Sequence, residues 1–349
     1  MASKGYFDQM TLRIDHRRKL AIVSPVFNDW DAFGQLIERL GQLNETEIFE
    51  INVIAVDDCS FVDLADVASL RARKGGLASV NVVKLACNLG PMRAIAAGLV
   101  TANKIDDLDA VIVMDADGED RPEDIGQLIA MWDCHPQRIV VAKRAQRSEG
   151  RLFKAFYGVY KLIFKALTGQ LITFGSFSLL PHSALRALVH NPAIWNNLPA
   201  AIIRSRIPYI ELETKRGVRL AGRSGMNFVN LAVHGVSAIS VYTDIVLLRI
   251  IVATILFAIA AFFGISLVVC IKLFTNLATP GWASYIAGSL TIMLLQILAF
   301  AGFSLFQFLS NRNLRTFVPA VDVEAFLLPD ESNESARPRS DTSVQYLAR

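Results

Sequence analysis

Two carboxylates spaced two residues apart are the clearest chemical feature of this chain. Asp115 and Asp117 follow the short apolar run 111–114, which is typical of a buried strand. In an open α/β sheet, ligands bind in the crevice beyond the carboxyl ends of the strands. Two aspartates would repel each other there unless a cation intervened, and Mg²⁺ favours one or two carboxylates together with phosphate oxygens. The pair therefore predicts a divalent cation that carries a diphosphate, and the alternative is an acidic, solvated loop.

The elements that must position this pair alternate along residues 19–142. Apolar strand-like runs are followed by helical patterns, which predicts a parallel sheet with helices on both faces. The predicted strands are Lys19–Ser24, Glu50–Val56, Ser79–Leu85, Ala110–Met114 and Arg138–Ala142, and the predicted helices are Trp30–Leu43, Leu64–Arg73, Met92–Lys104 and Pro122–Cys134. A dehydrogenase is the first enzyme class to consider for such a pattern. However, no G-x-G-x-x-G motif follows the first strand, and no G-x-x-x-x-G-K-[ST] motif is present.

Polar side chains follow four consecutive predicted strands. Segments 24–29, 57–60 and 88–90 come after the first three, and the paired aspartates come after the fourth. A carboxylate such as Asp57 can accept hydrogen bonds from a nucleobase or a ribose, and Gly90 lets a ligand approach the backbone closely. Each segment alone is an ordinary turn signal. Four of them at one edge of one sheet predict a single site.

This ordered series resembles the family 2 glycosyltransferases with a GT-A (Rossmann-like) α/β fold, in particular the synthases that attach sugars to dolichyl or undecaprenyl phosphate. The family motifs P-x-Y-N-E, D-D-x-S, N-x-G and D-A-D-x-Q-D-x-P-E are matched by Pro25–Asp29, Asp57–Ser60, Asn88–Gly90 and Asp115–Glu123. The chain departs from the family pattern at three positions. Asp29 replaces Glu, Cys87 stands where a basic residue often precedes the Asn, and Glu119 replaces Gln.

The resemblance implies a nucleotide-sugar donor and assigns residues to it. The implied donor-binding residues are Pro25, Phe27, Asp29, Asp57, Asn88, Gly90 and Asp115. The implied metal ligands, for Mg²⁺ or Mn²⁺, are Asp115, Asp117 and Glu119, and the implied catalytic residues are Asp115, Asp117 and Arg144. Because Glu119 adds a negative charge, it bears on which metal the site prefers.

The segment from Lys143 to Ile172 is strongly basic, with seven Lys or Arg residues against only Glu149. Aromatic and aliphatic residues recur in it at helical spacing, which predicts a basic amphipathic helix over about 150–170 that lies in a membrane interface. The alternative is a core helix with a solvated basic flank. The resemblance implies that Arg144, Arg147 and Lys154 hold an acceptor phosphate, which guanidinium groups bind bidentately.

Two apolar stretches near the C-terminus carry no charge. Residues 250–271 and 284–309 each reach the roughly 20 residues that a membrane span requires. Arg249, Arg312 and Arg315 flank their outer ends, whereas the connecting loop carries only Lys272, so the positive-inside rule places the N-terminal part in the cytoplasm. The expected location is the cytoplasmic membrane, as a multi-pass protein with its catalytic domain in the cytoplasm. The alternative is a pair of buried core helices.

The predicted organisation has five parts. These are an N-terminal extension (1–18), a GT-A catalytic domain (19–225), a juxtamembrane helix (226–248), two membrane helices (within 249–311) and a polar, disordered tail (312–349). The expected partners are a nucleotide sugar, a polyprenyl phosphate and the membrane, without nucleic acid. Small residues in the second span (Ala299, Gly302 and Ser304) are compatible with a homo-oligomer.

The predicted reaction moves a sugar, with inversion, from a nucleotide-diphosphate donor to a polyprenyl phosphate. The resemblance favours a UDP-sugar and undecaprenyl phosphate, and the residues leave the sugar and the base (uridine or guanosine) open. Phosphate monoesters have a second pKa of about 6 and are largely dianionic at neutral pH, so a dedicated general base is not required. A processive polysaccharide synthase is one alternative, but it would carry a Q-x-x-R-W motif, which is absent, and more spans. The other is a non-catalytic membrane regulator or flippase, against which the intact Asp115/Asp117 pair argues.

Overall fold

The computed structural model describes residues 17–44, 49–61, 75–144, 151–221, 228–275, 281–313 and 315–329. Seven strands form one sheet: β1 (Arg18–Val26), β2 (Phe49–Asp57), β3 (Ser79–Lys84), β4 (Ala110–Val113), β5 (Ile139–Arg144), β6 (Ser178–Pro181) and β7 (Tyr209–Thr214). Their order across the sheet is β3-β2-β1-β4-β6-β5-β7. The five predicted strands are all present, and the two C-terminal strands were not predicted.

The sheet is mixed rather than parallel. Strands β3, β2, β1 and β4 are parallel neighbours, and β5 is parallel to β7. Strand β6 lies between β4 and β5 and runs antiparallel to both. The five strands predicted within residues 19–142 therefore all run in the same direction, as predicted, and β6, which was not predicted, makes the sheet mixed. Four buried residues form this strand, a serine, two leucines and a proline, and so short a run contains nothing that reveals its direction.

Helices α1 (Trp30–Leu43), α2 (Pro91–Ala102), α3 (Ile125–Cys134), α5 (His182–Val189) and α6 (Leu198–Ser205) belong with the sheet. Helix α1 buries Phe33, Leu36, Ile37 and Leu40, the i, i+3, i+4 and i+7 positions of one helical face. Helix α2 packs closely on the sheet, since a Cβ added to Gly98 would lie 2.4 Å from Val23 of β1. The predicted helix Leu64–Arg73 lies outside the described residues.

A second compact unit contains helices α4 (Arg151–Thr168), α7 (Phe228–Ser240), α8 (Thr243–Phe274) and α9 (Trp282–Asn313). Helices α8 and α9 contain the predicted spans and are long and apolar enough to cross a membrane. Only 11% and 6% of their most apolar windows are buried. A core helix of a soluble protein would bury most of such a surface, so the exposure favours the membrane interpretation over buried core helices.

Helix α4 packs against its neighbours in this second unit. The Phe164 ring meets the Tyr242 ring edge to face at 6.0 Å, and the Tyr160 hydroxyl donates to the carbonyl of Gly235 at 3.3 Å. The Arg249 guanidinium donates to the Ala166 carbonyl at 2.7 Å, near the end of the helix. Sequence analysis placed this helix inside the catalytic domain, whereas its contacts group it with the apolar helices.

The chain beyond α9 returns to the sheet. Helix α10 (Pro319–Asp322) is followed by a 3₁₀ turn (Val323–Phe326), and Leu327 pairs antiparallel with Leu85, just beyond β3. The Val323 side chain is fully buried. Sequence analysis predicted a disordered tail from residue 312, because the average composition of 312–349 is polar and hides the apolar residues at its start. Residues 330–349 lie outside the described part of the chain.

Candidate active site

The parallel order of β3, β2, β1 and β4 brings four strand ends to one edge of the sheet. Carboxyl ends of neighbouring parallel strands point the same way, so the segments that follow them lie side by side. The last residues of these strands and the segments beyond them carry the predicted donor-binding residues Pro25, Phe27, Asp29, Asp57, Asn88, Gly90 and Asp115. The structure thus brings together residues that are spread over about a quarter of the chain.

The loop after β4 is held by its own carboxylates. The backbone N–H of Asp115 donates to the Asp120 carboxylate at 3.0 Å, and the N–H of Glu119 donates to Asp117 at 2.9 Å. Gly118 has a φ of +80°, a conformation that side-chain-bearing residues rarely adopt. These contacts fold the loop back on itself and gather several acids in a small volume.

Electrostatic repulsion is strong in this loop. Burial, together with the charges of Asp120 and Asp117, raises the pKa of Asp115 well above its usual range. Burial also raises the pKa of Asp117, and the charge of Glu119 adds to that effect. Burial raises the pKa of Asp120 as well, although the neighbouring Arg144 opposes it. The loop therefore carries more negative charge than its surroundings compensate.

Arg144, at the end of β5, lies on the acidic loop. Its guanidinium donates to Asp120 at 3.0 Å and to Glu119 at 3.4 Å. The sequence predicted that Arg144 acts in catalysis and binds the acceptor phosphate. The structure places it on Asp120 and Glu119 of the acidic loop, and its two roles stay predictions. The sequence assigned Asp120, which anchors both Arg144 and the loop, no catalytic or ligand role, although it lies within the same acidic motif.

A second segment crosses the acidic loop, and we call Lys215–Leu220 the arginine strap. The backbone N–H groups of Gly217 and Leu220 donate to the carbonyls of Glu119 and Asp117 at 2.8 and 2.9 Å. A Cβ added to Gly217 would lie 2.3 Å from the Gly118 carbonyl oxygen, so only glycine fits this crossing. The strap follows β7 and runs directly against the predicted metal-binding residues.

Two guanidinium groups of the strap pair with the acids. Arg216 makes a bidentate contact with Glu119 at 2.7 Å. Arg219 donates to Asp117 at 2.9 Å and also to Asp29. Sequence analysis missed both arginines, because about a hundred residues separate them from the acidic motif and no local pattern marks them.

The turns after β1 and β2 are joined by hydrogen bonds. The N–H of Ser60 donates to Asp57 at 2.9 Å, and the Ser60 hydroxyl accepts from the N–H of Asn28 at 2.9 Å. The Asn28 side chain in turn accepts from the N–H of Phe61 at 2.8 Å. The exposed rings of Phe27 and Phe61 meet edge to face at 6.0 Å. This arrangement sets a carboxylate beside exposed aromatic surface, which suits a flat, hydrogen-bonding ring such as a nucleobase.

Asp58 fixes the loop after β3. Its buried carboxylate accepts from the N–H groups of Leu89 and Gly90 at 2.7 and 2.8 Å, and its carbonyl accepts from the Asn88 amide at 3.1 Å. Gly90 has a φ of +87° and precedes the first turn of α2. Sequence analysis assigned a role to Asp57 and overlooked Asp58, although both belong to the same motif.

As ligands for a divalent cation, Asp115 and Asp117 alone fit the structure better than the predicted set of three, which includes Glu119. Within the described ranges 17–44, 49–61, 75–144 and beyond, no three His, Cys, Asp or Glu side chains are arranged to hold a metal ion. The third predicted ligand, Glu119, is paired with Arg216 and Arg144. Asp117 is paired with Arg219, which a cation bound by Asp115 and Asp117 would have to displace. Two carboxylates completed by phosphate oxygens are a set that Mg²⁺ accepts.

The charge balance of the cluster also suits a divalent cation. Five carboxylates (Asp29, Asp115, Asp117, Glu119 and Asp120) are accompanied by three guanidinium groups (Arg144, Arg216 and Arg219). When all five carboxylates are ionised, two negative charges are left over, which is the charge that one Mg²⁺ or Mn²⁺ would neutralise; without a cation, the raised pKa of Asp115 opposes that ionisation.

The other predicted acceptor residues are less well placed by the structure. Arg147 lies outside the described residues. Lys154 belongs to α4, in the second unit, and only its backbone is described. Their predicted role in binding the acceptor phosphate stays a prediction.

A mixed α/β sheet with a carboxylate pair after β4, and with polar turns at three neighbouring strand ends, defines a GT-A-like glycosyltransferase. Comparison with known proteins agrees with this class. Residues 21–187 match the family model described as glycosyl transferase family 2. Residues 21–187 are therefore a family 2 glycosyltransferase domain.

Several relatives are named as transferases or synthases that pair a sugar with a polyprenyl lipid. Over 158 residues the chain is 28% identical to an undecaprenyl-phosphate 4-deoxy-4-formamido-L-arabinose transferase from Serratia proteamaculans, covering 45% of this chain and 47% of the relative. It thus spans about half the length of that relative. It is 29% identical over 232 residues to a bactoprenol glucosyl transferase of Shigella phage SfV, covering 64% of this chain and 73% of the relative.

Among solved structures, the chain is similar to the glucosyl-3-phosphoglycerate synthase of Mycobacterium tuberculosis in complex with Mn²⁺, UDP and glucosyl-3-phosphoglycerate. The sequence identity is 15% and the TM-score is 0.43, with 66% of this chain and 80% of the other covered.

Proposed function

We propose that this protein transfers a sugar, with inversion, from a nucleotide-diphosphate donor to a polyprenyl phosphate at the cytoplasmic face of a membrane. The observation that carries the proposal is the convergence of the Asp115/Asp117 pair with the polar turns of β1, β2 and β3 at one edge of the sheet. The names of the relatives supply the acceptor class. A UDP-sugar and undecaprenyl phosphate are the proposed substrates.

The donor would lie across the four strand ends. Asp57 would accept hydrogen bonds from the base, whose ring would lie against Phe27 and Phe61. The exposed backbone at Gly90, which has open space where a side chain would be, lets the ribose or diphosphate approach closely. Asp115 and Asp117 would then meet the diphosphate through Mg²⁺ or Mn²⁺.

The residues around the leaving group would supply most of the catalysis. A divalent cation bound at the aspartate pair would stabilise the negative charge that develops on the leaving diphosphate. Asp120 holds the loop and Arg144 in fixed positions through its two carboxylate contacts. Such preorganised charges need no rearrangement during the reaction, which makes electrostatic stabilisation effective.

The acceptor supplies its own nucleophile. With a second pKa of about 6, a lipid phosphate is largely dianionic at neutral pH, so transfer requires alignment more than proton removal. Arg144 lies at the acidic loop with its guanidinium partly exposed, where it would hold the acceptor phosphate near the sugar. Helices α8 and α9 would hold the protein in the membrane that contains the acceptor.

The deciding experiment is sugar transfer by the purified full-length protein in detergent. Undecaprenyl phosphate, Mg²⁺ or Mn²⁺ and a panel of UDP- and GDP-sugars would be supplied, and lipid-linked product would be measured by mass spectrometry. Asp117→Asn and a chelator should each abolish product. The matched control is Asp31→Asn, which changes an exposed aspartate in the first turn of α1. Folded protein that makes no product from any donor would favour the non-catalytic regulator.

A further inference from the structure

The segment that follows the second apolar helix is built into the catalytic unit. We call Val318–Leu328 the C-terminal clasp. It begins five residues after α9 ends at Asn313 and groups with the sheet rather than with the apolar helices. The proposed transfer reaction uses none of its residues, and the family match ends at residue 187, well before the clasp. Its contacts nevertheless reach the edge of the proposed donor site.

The clasp extends the edge of the sheet at the end of β3. The N–H of Ala86 donates to the Phe326 carbonyl at 2.9 Å, and the N–H of Leu328 donates to the Lys84 carbonyl at 2.9 Å, on either side of the Leu85–Leu327 pair. Strand β3 is an edge strand, and the backbone groups of an edge otherwise face solvent or another chain. The clasp therefore fixes the backbone at the point where β3 leaves the sheet.

Side chains of the clasp pack on the same region. The Phe326 ring lies 5.5 Å from the Trp195 ring, and the Arg93 guanidinium lies 5.7 Å from the centre of that same Trp195 ring. Arg93 belongs to the first turn of α2. The Val323 side chain is fully buried. The clasp thus contacts Trp195, on which Arg93 of α2 also packs, as well as the end of β3.

The segment between these two contact points is the loop 87–90, which carries Asn88 and Gly90. On one side its N–H groups at Leu89 and Gly90 donate to Asp58. At its N-terminal end the loop follows Ala86, whose N–H donates to the clasp. At its C-terminal end the loop leads into α2, which packs against α10 of the clasp. A loop held at both ends has fewer accessible conformations, so less ordering entropy is lost when a ligand binds it.

We infer that the C-terminal clasp is a positioning element for the donor site, with Phe326 as its main anchor. This inference rests on the proposed function, because it assumes that the 87–90 loop binds the donor nucleotide. Its consequence is that donor affinity depends on residues beyond the second apolar helix. The catalytic unit is completed by chain on both sides of the helical hairpin.

The test uses full-length protein in detergent with three substitutions. Phe326→Ala removes the ring from Trp195, and Phe326→Tyr keeps it. Val321→Ala, at a clasp side chain that is 66% exposed, is the matched control. We expect Phe326→Ala to raise the dissociation constant of UDP and the donor KM about tenfold, with kcat within about twofold of wild type. Phe326→Tyr and Val321→Ala should behave like wild type.

Hydrogen exchange gives a readout that does not depend on the reaction. Exchange at the N–H groups of Leu89 and Gly90 should be faster in Phe326→Ala, while exchange in the central strands β1 and β4 stays unchanged. Unchanged loop exchange or unchanged UDP affinity in Phe326→Ala would overturn the inference, as would equal acceleration throughout the sheet. If wild-type protein bound no nucleotide, the proposed function would fail, and loop exchange would still decide whether the clasp positions the loop.

Discussion

Replacing Arg219 by glutamine tests whether a guanidinium occupies the carboxylate that a cation would use. Arg219 pairs with Asp117 at 2.9 Å and with Asp29, and the three side chains are only 18–23% exposed. Breaking an exposed ion pair costs up to about 1 kcal/mol, whereas removing one partner of a buried pair costs about 3–5 kcal/mol. For this intermediate burial we expect a loss of about 1–3 kcal/mol, which lowers the melting temperature by roughly 2–12 °C.

The same substitution should strengthen the response to a divalent cation. In wild-type protein, a cation must compete with Arg219 for Asp117. In Arg219→Gln that competition is absent and Asp117 lacks a counter-charge, so the cation should bind more tightly. A ligand present at a hundred times its dissociation constant stabilises a protein by about 2.7 kcal/mol. The cation should therefore recover much of the stability that the substitution removes.

The assay is thermal unfolding of the full-length protein in detergent across a titration with MnCl₂. Arg219→Lys, which keeps the charge, should resemble wild type. Arg18→Gln breaks a different ion pair, with Asp133, and is the matched control. The expected result is a larger Mn²⁺-induced rise in melting temperature for Arg219→Gln than for wild type or either other variant. An equal or smaller rise in Arg219→Gln would refute the proposed competition.

Three further predictions concern the same site. Because the pKa of Asp115 is raised in the folded protein, metal-free stability should fall as pH rises from about 4, the ordinary carboxyl pKa, through the folded value. At neutral pH with chelator, Asp115→Asn should therefore have a higher melting temperature than wild type, and this difference in melting temperature should vanish near pH 4. A difference that does not change with pH would contradict the prediction. Asp58→Asn should weaken two charge-assisted bonds to the 88–90 loop, each worth about 1.5–3 kcal/mol, and raise the donor KM, so an unchanged KM would count against it. Gly118→Ala should destabilise the protein by about 1–3 kcal/mol in chemical unfolding, since φ is +80° and a Cβ would lie 2.4 Å from Leu220. Unchanged stability of the variant would show that the arginine strap does not pack tightly on the acidic loop.

Local sequence patterns determined much of the catalytic unit. Apolar runs of strand length, separated by helical patterns, located all of the first five strands, because burial of one segment in a sheet requires a short, continuous apolar stretch. The turn residues at the strand ends could then be read in order. The Asp115/Asp117 pair and Asp57 were found in this way because each lies at or just beyond the end of its strand.

Contacts between distant segments were decided only by the tertiary structure. Arg219 lies 102 residues from Asp117 and 190 residues from Asp29, so nothing in either local sequence indicates that they pair. The antiparallel direction of β6 likewise depends on the path of the chain rather than on its four residues. The C-terminal clasp was hidden in a segment of polar average composition. In each case the stabilising partner comes from elsewhere in the chain, and a pattern of neighbouring residues carries no information about that partner.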